Sequence, residues 1–429
     1  MKTIGIDIGT TSICGISLDT DSGIIEQKIE KKNDTWIATE NSWEKAQNPD
    51  KILEIAFSII DELYSDDVVS IGVTGQMHGI VYLNSLGDAV SPLYTWQDER
   101  GNLPYNDTTY AKHLNSFAGY GYVTHFYNKQ NGLVPENAVK FCTIHDYVAM
   151  KLAGKSNPIT HISDAASFGQ YDLSANAFTV CDSFLPDVSA DYTIIGNYKK
   201  AAVTVAIGDN QASFIGSASG QNSVLVNVGT GSQVSLVSER IVNIPDIEVR
   251  PYIENKYLLV GCSLCGGKSF DLLERFFRAT AELVTGTHID NAYAAMDKAA
   301  ATIEESSLKV DNRFMGTRSN TEIKGSITSI TPENFNPYEL IRAMISGMSK
   351  ELYDMFANMN TACENLIGSG NGIRKNKALT KELSKDFGTG IKIPCHREEA
   401  CFGAALFSLV AVGVYGSISE AQKLIKYEV

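Results

Sequence analysis

The chain has 429 residues, 44% of them hydrophobic and 20% charged, a globular balance that excludes wholesale disorder. At roughly 150 residues per domain, that length gives two or three domains. Fifty acidic residues against 36 Lys and Arg leave a net charge of −14. Such a surface repels phosphate backbones, which argues against nucleic acid and anionic membrane as main partners but leaves room for a small anion in a local pocket.

In chain order, the opening MKTIGIDIGTTSICGISLD reads as strand, turn and strand. Asp7 interrupts its apolar run too early for a secretion signal. Asn48 caps and Pro49 opens a helix whose Ile52, Ala56, Ile59 and Leu63 share a face. Val68–Thr74 is a strand, Gly75–Gly79 a loop reading Gly-Gln-Met-His-Gly, and Ile80–Leu83 another strand. A strand over 202–207 ends at Gly208-Asp209-Asn210-Gln211-Ala212-Ser213, which opens a helix of small residues. Asp209 is the carboxylate that opens a neutral segment running to Ser238; it reads either as a helix cap or as a general base. Residues 257–277 run strand, glycine-rich loop, helix and contain Gly-Lys-Ser, but Cys262 stands where a phosphate-binding P-loop needs glycine. Cys262 and Cys265 form an isolated CxxC without further ligands at zinc spacing, and the eight scattered cysteines fit a reducing cytosol. The uncharged stretch 400–419 is broken by Gly403, Gly413 and Gly416 and reads as a buried helix, not a membrane span.

One pattern occurs twice. Residues 6–12 read Ile-Asp-Ile-Gly-Thr-Thr-Ser and residues 226–232 read Val-Asn-Val-Gly-Thr-Gly-Ser, half a chain apart. Both sit between β-rich runs, so each predicts a β-hairpin opening one of two related α/β domains. Glycine lets a ligand approach the backbone, and turn N–H groups with Thr and Ser hydroxyls form an anion-binding concavity. The first copy carries Asp7 where the second has Asn227, and one carboxylate beside a phosphate loop suggests an anchor for Mg²⁺, a hard ion that prefers oxygen.

Over nearly its whole length the chain resembles the FGGY family of carbohydrate kinases, in the actin-like, ribonuclease H-like ATPase superfamily. Residues 7–12 and 227–232 are similar to its two phosphate motifs, and 208–213 to its catalytic-Asp motif. Gly368-Ser-Gly-Asn-Gly372, with Asn376 and the Glu399–Ala405 helix start, resembles its adenosine motif. The 75–79 loop is similar to that of xylulokinase and sedoheptulokinase members; Thr95-Trp-Gln-Asp-Glu-Arg100 looks closer to the sedoheptulokinase pattern, though Glu99 departs from its Gly, and Thr143–Val148 and Ser163–Gly169 also resemble sedoheptulokinase segments. The resemblance implies an α/β fold of two actin-like (ribonuclease H-like) ATPase domains with an interdomain active-site cleft. Residues 1–213 would bind sugar and carry the first phosphate loop, and 214–429 would bind ATP. The implied reaction moves the γ-phosphoryl of ATP to the terminal hydroxyl of a ketose, giving sedoheptulose 7-phosphate from sedoheptulose. Xylulose or another ketose is the alternative, and a sugar-independent actin- or chaperone-like ATPase the more distant one. In this reading Asp209 accepts the hydroxyl proton, and Asp7 and Asp209 hold Mg²⁺. Gly9, Thr10, Thr11 and Ser12 meet one end of the polyphosphate and Gly229, Thr230 and Gly231 the other, while Gly370, Asn371 and Asn376 line the nucleoside. Gln76, Met77, His78, Trp96, Asp98 and Arg100, with Asp209, bind the sugar. The helix near 400–412 would pack behind the adenine. The implied partners are a ketose and ATP, with no nucleic acid or membrane, in a cytoplasmic monomer or homodimer.

Overall fold

The computed structural model describes residues 1–320 and 322–428. The chain forms two compact units: Met1–Ser217 with Arg250–Tyr257 and Glu398–Lys426, and a second containing Ala218–Val249 and Leu258–Arg397. In the first, β1 (Lys2–Ile8), β2 (Ser12–Asp19) and β3 (Ile25–Lys32) pair antiparallel in succession. Helix α1 (Pro49–Leu63) begins where Asn48 Oδ1 accepts from Lys51 N, and it buries Ile52, Ala56, Ile59 and Leu63 as their spacing predicts. It leads to β4 (Val68–Gly75), which lies parallel to β1 on the side opposite β2. Helices α2 (Ile144–Leu152) and α3 (Ile162–Ser167) follow, and β5 (Ile194–Tyr198), β6 (Ala201–Thr204) and β7 (Ile207–Gly208) complete the sheet. The expected strand 202–207 is broken. Val203 pairs Ile71 and Ile207 pairs Thr74, so one extra residue enters between two short parallel pieces on β4. That irregularity ends β7 beside Gly75, where α4 (Asp209–Ser217) starts.

The second unit repeats the plan. Strands β8 (Ser223–Val228) and β9 (Ser232–Ser238) form an antiparallel hairpin. After β10 (Ile247–Pro251), β11 (Tyr257–Ser263), α5 (Gly266–Thr285) and α6 (Pro337–Asn358), β12 (Asn365–Ser369) lies parallel to β8. Helices α7 (Gly370–Lys375) and α8 (Lys377–Asp386) precede β13 (Ile391–Lys392), and the sheet order is β10-β11-β9-β8-β12-β13. Met344, Ile345, Met348, Leu352 and Phe356 of α6 fill its core.

Helix α9 (Glu399–Ala411) returns to the first unit and packs on β1, β4 and α4. Its small residues let its backbone come close to the sheet and to α4. A Cβ on Gly5 of β1 would lie 1.9 Å from Cys401 O, and one on Gly403 would lie 1.8 Å from Ala212 O of α4. Beneath the helix, Ser408 Oγ meets Thr3 Oγ1 and Ser70 Oγ, both at 2.9 Å. Buried hydroxyls that satisfy one another can sit in a core at little cost. Among the described residues no helix is long and apolar enough to cross a membrane.

Candidate active site

The first hairpin turn is fastened from outside. Asn33 Nδ2 donates to Gly9 O (2.8 Å), Gln47 Nε2 to Thr10 O (3.0 Å) and Asn33 N to Thr11 O (2.9 Å). With its carbonyls engaged there, the turn can present N–H groups and the hydroxyls of Thr10, Thr11 and Ser12 to an anion. Asn33 and Gln47 are buried and went unnoticed in the sequence, where an isolated amide carries no signal.

Asp7 is the penultimate residue of β1, beside this turn, and its register partner on β4 is Thr74. The second unit has the corresponding pair Asn227 and Ser369, in which Asn227 Nδ2 donates to Ser369 Oγ at 2.7 Å. The replacement of Asn by Asp breaks that equivalence: Thr74 Oγ1 is buried without a hydrogen-bond partner. Burial, with the nearby charge of Asp209, pushes the Asp7 carboxyl up to about 7 against the pull of His145. Burial also raises Asp209, at the start of α4, despite the opposing charges of Arg250 and His145 and a 2.8 Å bond from Asn210 Nδ2. Two half-buried carboxyls whose charged forms are disfavoured, beside an orphaned hydroxyl, fit a hard divalent cation such as Mg²⁺.

The sugar-loop residues divide into two sets. Trp96 is 46% exposed, and its Nε1 donates to Thr10 Oγ1 (3.1 Å). Thr10 in turn donates to Gln76 Oε1 (3.2 Å), and Gln76 Nε2 donates to Gln47 Oε1 (2.9 Å). This chain ties the phosphate turn to the sugar loop and engages both ends of Gln76. His78 has φ = 71°, a left-handed backbone uncommon outside glycine. Its ring stacks on Tyr120 at 4.4 Å, its Nδ1 lies 3.0 Å from Ser167 O, and its N–H donates to Ser167 Oγ. Met77 is buried under Gly208, with its Sδ 3.8 Å from Asn210 Nδ2.

Asp98 and Arg100 turn inward. Both are at least 98% buried; Arg100 Nε donates to Asp98 Oδ1 at 2.7 Å and Nη2 to Oδ2 at 3.0 Å, and Lys45 N also donates to Oδ2. Arg100 lies 4.1 Å over the Tyr94 ring, a cation–π contact, and also donates to Asn128 Oδ1. The pair therefore shapes the loop that carries Trp96.

Behind the loops lies a buried polar cluster. His145 Nε2 is 3.1 Å from Asp164 Oδ1, an ion pair that lacks the alignment of a hydrogen bond. Burial works against the charge of His145, but Asp164, with Asp146 and Asp209, outweighs it and raises the imidazole to about 9. Burial takes the neighbouring His161 down to about 4. The two histidines are thus pushed in opposite directions.

In the second unit, Gly229, Thr230 and Gly231 form the second turn, and Gly229 N donates to Gly231 O. The segment that resembled a P-loop packs against it, with Gly267 N donating to Gly229 O and Lys268 N to Thr230 O, both at 3.1 Å. A Cβ at Gly266 would lie 2.2 Å from Gly231 C, and one at Gly267 would lie 2.3 Å from Gly229 O. These glycines let α5 start directly on the turn. A cavity of about 590 Å³ is lined by Gly229, Thr230, Gly267, Asn371, Lys375 and Asn376, together with Phe270 and Tyr293. Gly370 holds φ = 85° against Val228 O, which sets the wall carrying Asn371. Asn376 lines the cavity while its Oδ1 caps α8 by accepting from Leu379 N (2.9 Å). Phe270, Tyr293 and Lys375 were not anticipated, because they come from three elements that only the fold gathers.

Comparison with known proteins gives matches along almost the whole chain. The family model for the N-terminal domain of the FGGY family of carbohydrate kinases matches residues 2–225, and that for the C-terminal domain matches 224–412. Mouse (Mus musculus) sedoheptulokinase is 26% identical, over 95% of this chain and 97% of its own length. A xylulose kinase of Staphylococcus epidermidis is 24% identical, over 97% of this chain and 89% of its own. The solved xylulose kinase of Rhodospirillum rubrum superposes with a TM-score of 0.85 at 16% identity, covering 100% of this chain and 93% of its own.

Proposed function

The chain belongs to the FGGY family of carbohydrate kinases, and we propose that it transfers the γ-phosphoryl group of ATP to the terminal hydroxyl of sedoheptulose. The observation that carries this reading is the pair Asp7 and Asp209, two half-buried carboxyls with raised proton affinity beside a hairpin turn whose carbonyls are engaged. Phosphoryl transfer depends on alignment and charge neutralisation more than on covalent help. Asp209 accepts the proton of the attacking hydroxyl, a role that suits a carboxyl whose affinity for protons is raised. Asp7 and Asp209 hold Mg²⁺, which when bound neutralises phosphate charge. The turn at 9–12 receives phosphate oxygens on its N–H groups. Trp96 offers an apolar face to sugar C–H bonds and His78 a ring nitrogen to hydroxyls. The cavity in the second unit takes the nucleoside, with Asn371 and Asn376 on its wall.

Support for sedoheptulose over other ketoses comes from the sedoheptulokinase match and from the Thr95–Arg100 segment. The test is a coupled ADP-release assay with ATP, Mg²⁺ and a panel of sedoheptulose, xylulose, ribulose and fructose. The expected outcome is the highest kcat/KM on sedoheptulose, with mass spectrometry placing phosphate on O7. A preference for xylulose would replace the substrate and leave the class intact. Equal ATP turnover with and without sugar would overturn the kinase reading.

A further inference from the structure

Helix α3 is six residues long and contributes no side chain to the proposed ligand contacts, yet its two ends grip the two loops that do. At its start, Ser163 Oγ accepts from Gly208 N–H at 3.0 Å. Gly208 is the last residue of β7 and precedes Asp209, the proposed proton acceptor. At its end, Ser167 Oγ accepts from His78 N–H at 3.2 Å, and Ser167 O lies 3.0 Å from His78 Nδ1. Ser163 is 1% exposed and Ser167 5%, so solvent does not compete for these bonds.

Both grips act where the backbone is otherwise weakly held. Strand β7 has only two residues and follows the extra residue in the ladder, so its pairing to β4 alone gives it little stiffness. His78 sits at φ = 71°, a conformation that persists only when its surroundings enforce it. The helix itself is anchored from behind. Asp164 pairs with His145, whose Cβ lies 3.1 Å from the position a Cβ on Gly75 would take. Ser163 Oγ also lies within 2.9 Å of His161 Nδ1.

We propose that α3 is a positioning element that sets the sugar loop and the proton acceptor in register, Ser163 acting through Gly208 on Asp209 and Ser167 acting through His78 on the sugar. The proposal rests on the kinase reading above. Neither serine touches a reacting atom, and the two have separable effects. Loss of the Ser163 hydroxyl leaves the Gly208 N–H buried without a partner and frees the Asp209 peptide, which misplaces the base without altering the sugar contacts. Loss of the Ser167 hydroxyl loosens His78 and weakens the hold on the sugar in ground state and transition state alike.

The test is steady-state kinetics of the full chain with ATP, Mg²⁺ and sedoheptulose for Ser163→Ala, Ser163→Thr, Ser167→Ala and Asp209→Asn. Ser163→Ala is expected to lower kcat about tenfold with little change in sugar KM, the size of effect that follows from one lost buried hydrogen bond. Ser163→Thr, which keeps an acceptor hydroxyl, is expected to recover most of that loss. Ser167→Ala is expected to raise sugar KM about fivefold with kcat nearly unchanged, again the worth of about one hydrogen bond. Should Ser163→Ala not fold, Ser163→Cys, of similar volume but a weak acceptor, is held to the same expectation. Wild-type constants in both alanine variants, or equal losses of kcat and KM in both, overturn the positioning role. Undiminished turnover in Asp209→Asn overturns the base assignment and with it the Ser163 half of the proposal, so the two failures read differently.

Discussion

Asp7 shows what a carboxylate costs when it is kept for a ligand. Its folded pKa of about 7 lies above the ordinary 3.8, so the ligand-free protein takes up a proton on folding between those values. Stability is then present in full below pH 3.8 and falls as pH rises through about 7, the opposite of a salt-bridged aspartate. Asp7→Asn removes the penalty, and at pH 8 the ligand-free variant is expected to be more stable by roughly 2 kcal/mol, allowing for solvent screening at a half-buried site. Denaturant melts at pH 4 and pH 8 check this: the gain should vanish at the lower pH. The variant should also lose its response to Mg²⁺ titration. Asp209→Ala is expected to keep nucleotide binding, measured by calorimetry, and to lower turnover by about 10²–10⁴-fold, the range for loss of a general base. At this scale the sequence revealed residue types but not their orientation. Asp7, Asp209 and His78 stand at strand ends and loops where the motifs put them. Asp98, Arg100 and Gln76 also lie on those loops, but their polar groups are directed at Lys45, Asn128, Thr10 and Gln47. Those partners are distant in sequence, so side-chain direction becomes legible only once the fold brings them near.

At the scale of elements, glycines act as contact surfaces. Helix α9 lies against β1 and α4 because Gly5 and Gly403 present bare backbone to the carbonyls of Cys401 and Ala212. Gly403→Ala is expected to destabilise the protein by about 3 kcal/mol, as overpacking forces backbone to shift. A lowered thermal midpoint for the whole chain measures it, and an unchanged midpoint would show that the helix can slide. Periodicity and caps made α1 and both hairpins readable in advance, since each is defined by local residues. The break between β6 and β7 was not readable, because Val205 and Ala206 are as suited to a strand as their neighbours and only pairing to β4 decides. The role of the Gly-Lys-Ser segment was hidden for a related reason. Its glycines answer to the close approach of Gly229 and Gly231, a contact that no local pattern announces.

In the whole molecule, the repeat at half length extends from the turns to the sheets. Each unit has an antiparallel hairpin and a third strand parallel to its first, with Asp7 beside Thr74 in one and Asn227 beside Ser369 in the other. A seven-residue echo was enough to predict two related domains because the same hairpin opens the sheet of each. What the echo did not reveal is that the first unit takes in Glu398–Lys426. Truncation after Arg397 is therefore expected to uncover the α9-facing side of β1 and β4. It should raise binding of an apolar dye and abolish sugar binding by calorimetry. A truncated chain that still binds sugar would mean that α9 is dispensable to the site.

The return of α9 also orders the protein's biosynthesis. Strand β1 leaves the ribosome almost a full chain length before the helix that covers it, on the order of 20–80 s at 5–20 residues per second. For that interval the nascent sheet carries an apolar face with glycine-lined grooves and nothing to fill them, a surface suited to capture by a chaperone. The unit that bears Asp7 and Asp209 starts with Met1–Ser217 and is finished only by Glu398–Lys426, after most of the other unit has been made, so a stalled or shortened translation product would carry both carboxylates without a finished scaffold to aim them.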